Sequence, residues 1–126
     1  MTLFQTRYLP EIPEYIAPDG SEIRILASFT SGSLSHCTRI PKQTTVACKH
    51  HSVDEIWYFL QGQGEAWRKN GTEEEIVNVR PGQCLTIPVG THFQLRNTDE
   101  EILCFIIATI PKWPGNFEAE EVQGIW

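Results

Sequence analysis

Eight prolines and nine glycines are spread along this chain and cut it into short pieces. No piece between them carries an apolar stripe at a period of 3.6 residues long enough to make a buried helix. The pieces are instead rich in Ile, Val, Thr, Phe, Tyr and Trp, whose branched or flat side chains suit a pleated, half-buried surface. Such a chain has to satisfy its backbone between strands, so the pattern predicts an antiparallel all-β fold, closed as a sandwich or barrel. Strands are expected over 21–30, 44–49, 55–60, 65–69, 75–79, 83–87, 93–96 and 102–110, with turns at Gln61-Gly62-Gln63-Gly64, Asn70-Gly71, Arg80-Pro81-Gly82 and Pro88-Val89-Gly90. Asn70-Gly71 is the strongest hairpin signal, because both residues tolerate the positive φ that a two-residue turn demands.

The length of 126 residues and mass of 14.4 kDa allow one sizeable core and not two. A single domain over 1–126 is therefore expected, with a core barrel at about 21–110, an N-terminal arm over 1–20 and a C-terminal arm over 111–126. Ten Lys and Arg against sixteen Asp and Glu give a net charge of −6, with no basic stripe. That balance argues against nucleic acid or anionic membrane as a partner and for a small molecule entering a pocket. The longest apolar run, Ile102 to Ala108, is too short to cross a bilayer, and no secretion signal is visible at the start of the sequence. The four cysteines are scattered without a CxxC pair, so reduced thiols and a cytoplasmic location are expected.

Two of the expected strands are apolar on both faces. In Glu55 to Leu60, Trp57 and Phe59 share one face while Ile56, Tyr58 and Leu60 share the other, and Ile102 to Ile110 reads in the same way. An outward apolar face needs a cover, either a second subunit or the chain's own Pro-rich ends, and a homodimer is the favoured solution. The tail, with Trp113, Phe117 and Trp126 set among acidic residues, is expected to pack as an irregular arm across the barrel.

The residues able to carry chemistry sit in two places. One is Lys49-His50-His51-Ser52-Val53-Asp54-Glu55, followed by six residues and then Gly62; the other is Gly82, five residues, Pro88-Val89-Gly90-Thr91-His92, then Asn97. Imidazoles with one carboxylate are the usual ligands of divalent transition metals and leave positions free for water or substrate. No Ser-His-Asp elbow, phosphate-cradling glycine loop or dinucleotide fingerprint accompanies them.

In these spacings the sequence resembles the cupin superfamily of small jelly-roll barrels. Glu55-x6-Gly62 and Gly82-x5-Pro88-x-Gly90 fit the family's two motifs, and with the hairpin between them the resemblance runs from about Thr44 to Ile110. The resemblance implies an all-β jelly-roll β-barrel holding a divalent ion (Zn, Fe, Mn or Ni) at its mouth. The ligands would be His50, His51, Glu55 and His92, with Lys49, Trp57, Phe59, Trp67, Phe93 and Gln94 around the pocket. The sequence departs from the family at the ligands themselves. Counting back from Glu55 puts the family's His-x-His at Lys49 and His51 or at Cys48 and His50, and counting on from Gly90 reaches Phe93 rather than His92. His92 enters the site only if a bulge at the preceding turn re-aims it.

Two functions follow as expectations. The first is a metal-dependent cupin acting on a small polar, sugar-like molecule, by isomerase, epimerase, lyase or oxygenase chemistry. The second is a metal-free cupin that binds or senses a small molecule without catalysis.

Overall fold

The computed structural model describes residues 3–126. Eleven strands form two antiparallel sheets. The first, of six strands, runs in the order β1 (Tyr15–Ile16), β2 (Glu22–Phe29), β3 (Gly32–Arg39), β10 (Leu103–Ile110), β5 (Asp54–Gln61) and β8 (Cys84–Ile87). The second, of five, runs β11 (Ala119–Glu121), β4 (Cys48–His50), β9 (His92–Asn97), β6 (Gly64–Asn70) and β7 (Glu73–Val79). Neighbouring strands in each sheet are mostly distant in sequence, the crossover pattern of a jelly roll. One 3-10 turn, Asn116–Glu118, is the sole helical element among the described residues.

The two sheets face each other across one core. Trp57 and Phe59 of β5, Leu103, Phe105 and Ile107 of β10, and Phe93 and Leu95 of β9 all bury into it. Phe59 and Phe105 pack with ring centroids 4.8 Å apart, and each is shielded almost entirely from solvent. Burying an aromatic of this size contributes roughly 2–3 kcal/mol, so this pair anchors the join of β5 and β10.

The expected turns form, with one shift of position: the β6–β7 hairpin turns at Gly71-Thr72 rather than at Asn70-Gly71, because Asn70 is the last paired residue of β6. Gly71 (φ 62°) closes the β6–β7 hairpin, in which Asn70 faces Glu73. Gly62 (φ 86°) lies so close to β10 that a Cβ there would run into the carbonyl of Ile102. Both the turn and the close approach require glycine.

Three strands were not foreseen in the composition. β3 is Gly-Ser-Leu-Ser-His-Cys-Thr-Arg, short of the branched residues that mark a strand. Pairing with β2 on one side and β10 on the other nevertheless imposes extended structure on it. Its inward side chains, Ser35 and Cys37, are small, and where they face the second sheet the core opens into a cavity. β1 and β11 come from the arms and each extends one sheet edge. The tail packs across the barrel as a largely irregular arm, interrupted by the 3-10 turn and the three residues of β11.

The outer face of the six-stranded sheet carries Leu34, Ile56, Tyr58 and Leu60, each 37–44% exposed. The register aligns Leu34, Ala108 and Ile56 across β3, β10 and β5, with Ile106 beside Tyr58. No helix of the described residues is long and apolar enough to cross a membrane.

Candidate binding cavity

Strand register decides which side chains enter the cavity. Cys48 of β4 lies opposite Phe93 of β9, and residues directly opposed in an antiparallel pair share a face. Both are buried, so Cys48 and His50 point inward with Phe93 and Leu95. The intervening residues, Lys49 and His51 on one strand and its exit, His92 and Gln94 on the other, then point outward. The same rule sets the next strand: Ala66, opposite Leu95, is core, while Trp67, opposite Gln94, and Lys69, opposite His92, are on the outer wall.

The cavity holds about 570 Å³ of atom-free space, counting the part open to solvent. Glu55 lies at its polar end, only 6% exposed. Its two carboxylate oxygens are taken separately: Oε1 accepts from the indole Nε1 of Trp57 at 3.0 Å, and Oε2 from the hydroxyl of Thr109 at 2.8 Å. Both donors follow from strand geometry, since Trp57 is two residues along the same face of β5 and Thr109 is the cross-strand partner on β10. Among the described residues no cation reaches this carboxylate. Burial therefore raises its pKa to about 7, against the lowering effect of the two hydrogen bonds, and Asp19 and Glu118 push it further up.

His50 enters from the opposite sheet, 5% exposed. Its imidazole stands edge-on to Phe93 at 4.9 Å and to Trp113 at 5.3 Å. Burial lowers its pKa to about 4, which outweighs the attraction of Glu118, so the ring is neutral at pH 7. Its Nδ1 is buried without a hydrogen-bond partner among the described residues, and so are Nε1 of Trp113 and Oγ of Ser21 on the same cavity wall. A buried polar atom left unpaired costs roughly 1–3 kcal/mol, and three on one cavity form a surface suited to a polar guest.

The backbone that carries His50 is held by Glu118, 1% exposed on the 3-10 turn of the tail. Its carboxylate accepts from the backbone N–H of Ser52, from the Ser52 hydroxyl at 2.8 Å and from the N–H of Val53 at 2.8 Å. Burial works against the charge, but these donors and His50 outweigh it and the net pKa is lowered.

The expected metal set is therefore dispersed. His50 and Glu55 line the cavity, with Trp57 and Phe93 as its walls. His51 is half in solvent, 3.9 Å from Glu120, and Lys49 pairs with the same carboxylate at 3.3 Å. His92 opens onto an outer groove with Trp67, Lys69 and Glu74; no bulge turns it inward. Trp67 is buried there under residues 123–125, its indole donating to Glu74 at 2.9 Å. Gln94, also on the outer side, accepts from the backbone of Ile125 and Trp126 and so ties down the tail. Phe59 is core behind the cavity rather than lining. Among the described residues no three His, Cys, Asp or Glu side chains gather closely enough to hold a metal ion. The residues present do not fit the ion that the jelly-roll family implies.

Sequence reasoning missed Tyr15, Asp19, Ser21 and Thr109 on the cavity wall, and Glu118 beneath it. Four of these five lie in the arms or at their margin, away from any motif. Asn97, by contrast, stands where the motif count puts it and is structural: its amide donates to the carbonyls of Arg39, Ile40 and Glu101, and its Oδ1 accepts from Asp99.

A family model described as "Cupin domain" matches residues 36–109. A vicilin of Pistacia vera, Pis v 3.0101, is 30% identical over 78 residues, which is 60% of this chain but only 14% of the vicilin's length. The uncharacterized protein MJ1618 of Methanocaldococcus jannaschii is 28% identical over 118 residues, covering 90% of each chain. Among solved structures, an uncharacterized conserved protein with a double-stranded beta-helix domain from Klebsiella pneumoniae superposes with a TM-score of 0.68 at 17% identity, over 88% of this chain and 93% of that one. At that identity the likeness is one of fold.

Proposed function

This chain belongs to the cupin family, and from that premise we propose that it binds a small polar molecule in the cavity between its sheets, using Glu55 and His50 as an acid–base pair in place of a resident metal. The single observation that carries the reading is the setting of Glu55. Its carboxyl is buried, hydrogen-bonded by Trp57 and Thr109, without a cation, and half-protonated near neutrality. A group with a pKa near the working pH both donates and accepts protons readily. Neutral His50 across the cavity supplies the complementary partner, its Nδ1 unpaired. Together they suit proton transfer on a bound molecule, as in an isomerisation or epimerisation; with binding alone, the same pair serves to orient a hydrogen-bonding ligand.

The test is spectroscopic. Carboxyl-detected NMR should place the Glu55 titration near pH 7 and keep His50 neutral down to about pH 4. A Glu55 that titrates as an ordinary carboxylate would remove the acid–base reading.

We also propose that a second copy of the chain covers the exposed Ile56, Tyr58 and Leu60 face of β5, giving a homodimer. The four cysteines, all free and three of them buried, suit the reducing cytoplasm.

A further inference from the structure

The composition of the cavity wall goes beyond "small and polar". We propose that its ligand is a small organic cation, an alkylated ammonium that also carries an acceptor oxygen; this rests on the reading of the cavity as a binding site. Acidic side chains line the cavity, Glu55 at one point and Asp19 at another, while no Lys or Arg does. Glu118 adds a third carboxylate, this one buried behind His50. Of the basic groups nearby, Lys49 turns to Glu120 outside, while the buried Arg39 donates to Gln43 at 2.6 Å and its attraction offsets part of the burial that raises the Asp19 pKa.

Around these carboxylates runs a continuous aromatic wall. Trp113 contacts His50, His50 contacts Phe93, Phe93 contacts Trp57 at 5.5 Å, and Trp57 contacts Phe105 at 5.0 Å, with Tyr15 also on the lining. Aromatic rings attract a cation through the negative potential of their faces, and a desolvated site strengthens the attraction to about 2 kcal/mol. An anion would meet carboxyl groups on this lining and no Lys or Arg to pair with. A neutral apolar ligand would leave the unpaired Nδ1 of His50 unsatisfied and the charge of the carboxyl groups without a counterion. The indole N–H of Trp113, buried and unpaired among the described residues, is a donor only. It calls for an acceptor atom on the guest, and a hydroxyl or carbonyl oxygen supplies one. The chain's net charge of −6 further favours the approach of cations.

Trp113, Tyr15 and Asp19 lie outside the stretch 36–109 that the family model matches. The arms thus supply one of the two lining carboxyl groups and part of the aromatic wall, and Glu55 of the common barrel supplies the other carboxyl.

The experiment compares choline with 3,3-dimethylbutan-1-ol, its uncharged carbon isostere, and with glucose and acetate, titrated into the full chain while the indole N–H signals of Trp57 and Trp113 are followed by NMR. Choline should move both signals saturably and bind about tenfold or more tighter than the isostere, the 1.4 kcal/mol that a cation–aromatic contact supplies. Glu55→Gln and Trp113→Leu should each weaken choline by a similar factor, and Asp19→Asn provides a third variant if one of these fails to fold. Equal binding of the isostere, or binding of glucose or acetate with choline silent, overturns the cation and leaves the cavity as a binding site. No response to any of the four probes overturns the cation and withdraws support from the binding reading as well.

Discussion

The ring of Phe93 stands edge-on to the imidazole of His50, centroids 4.9 Å apart, each projecting from a neighbouring strand of the same sheet into one cavity. This contact places residue 93 inside and residue 92 outside. It thereby turns a barrel with three histidines near two motifs into one whose cavity holds a single imidazole, a buried carboxyl and aromatic walls.

Metal content should reflect that geometry. Protein purified without a His tag is expected to carry no stoichiometric Zn, Fe, Mn or Ni by elemental analysis, and EDTA should leave its melting temperature unchanged. His92→Ala should alter neither result, because that ring faces the outer groove. Near-stoichiometric metal that disappears in His50→Ala and Glu55→Ala would refute the dispersed reading.

The pH dependence of stability carries two opposed contributions. Glu55 has a folded pKa raised from 4.5 to about 7, so it contributes destabilisation that grows as pH rises through that interval. At about 1.36 kcal/mol per unit this reaches roughly 3 kcal/mol above pH 7. His50 is lowered from 6.5 to about 4, so the unfolded chain gains the proton first and stability falls as pH drops from 6.5 toward 4. Between about 4.5 and 6.5 the two slopes have opposite sign. Glu55→Gln should consequently be more stable than the parent at pH 8 and lose that advantage by pH 5, as read by urea unfolding at both pH values. Equal differences at the two pH values would mean that Glu55 is not titrating in the expected range.

Removing the Glu118 carboxylate should be severe. Glu118→Ala leaves the amides of Ser52 and Val53 without their acceptor in a buried site, a loss on the order of 3 kcal/mol or more. Chemical denaturation should report it, and hydrogen exchange should show the loop from His51 to Val53 opening ahead of the barrel. A cost below about 1 kcal/mol would show that the tail does not hold the loop.

Association should depend on β5. Sedimentation at micromolar concentration is expected to give twice the 14.4 kDa chain mass, and Tyr58→Glu should yield a folded monomer, since Tyr58 is outward and 43% exposed. A parent protein that sediments at the chain mass would defeat the homodimer.

Most of the barrel was legible in the sequence. The strands around Trp57, Phe59 and Phe105 announce themselves by branched and aromatic residues, and Gly71 and Gly62 mark turns whose positive φ favours glycine. β3 was not legible, because Ser33, Ser35 and Cys37 have no strong preference of their own and are held extended by the strands on either side. The cavity residues divide in the same way. Glu55 stands at a motif spacing, but the choice between His92 and Phe93 turns on a single residue of register, and local sequence is blind to a one-residue slip.

The sequence by itself determined the alternation of strands and turns, the acidic balance and the presence of Glu55 two residues before Trp57. Those depend on neighbours along the chain, where backbone preference and side-chain period act. Only the tertiary structure decided which imidazole meets the cavity, that Trp113 and Tyr15 come from opposite ends to wall it, and that Glu118 holds a loop sixty-five residues away. Such contacts arise when sheets close on each other, and their energies come from burial and pairing between segments that share no local pattern.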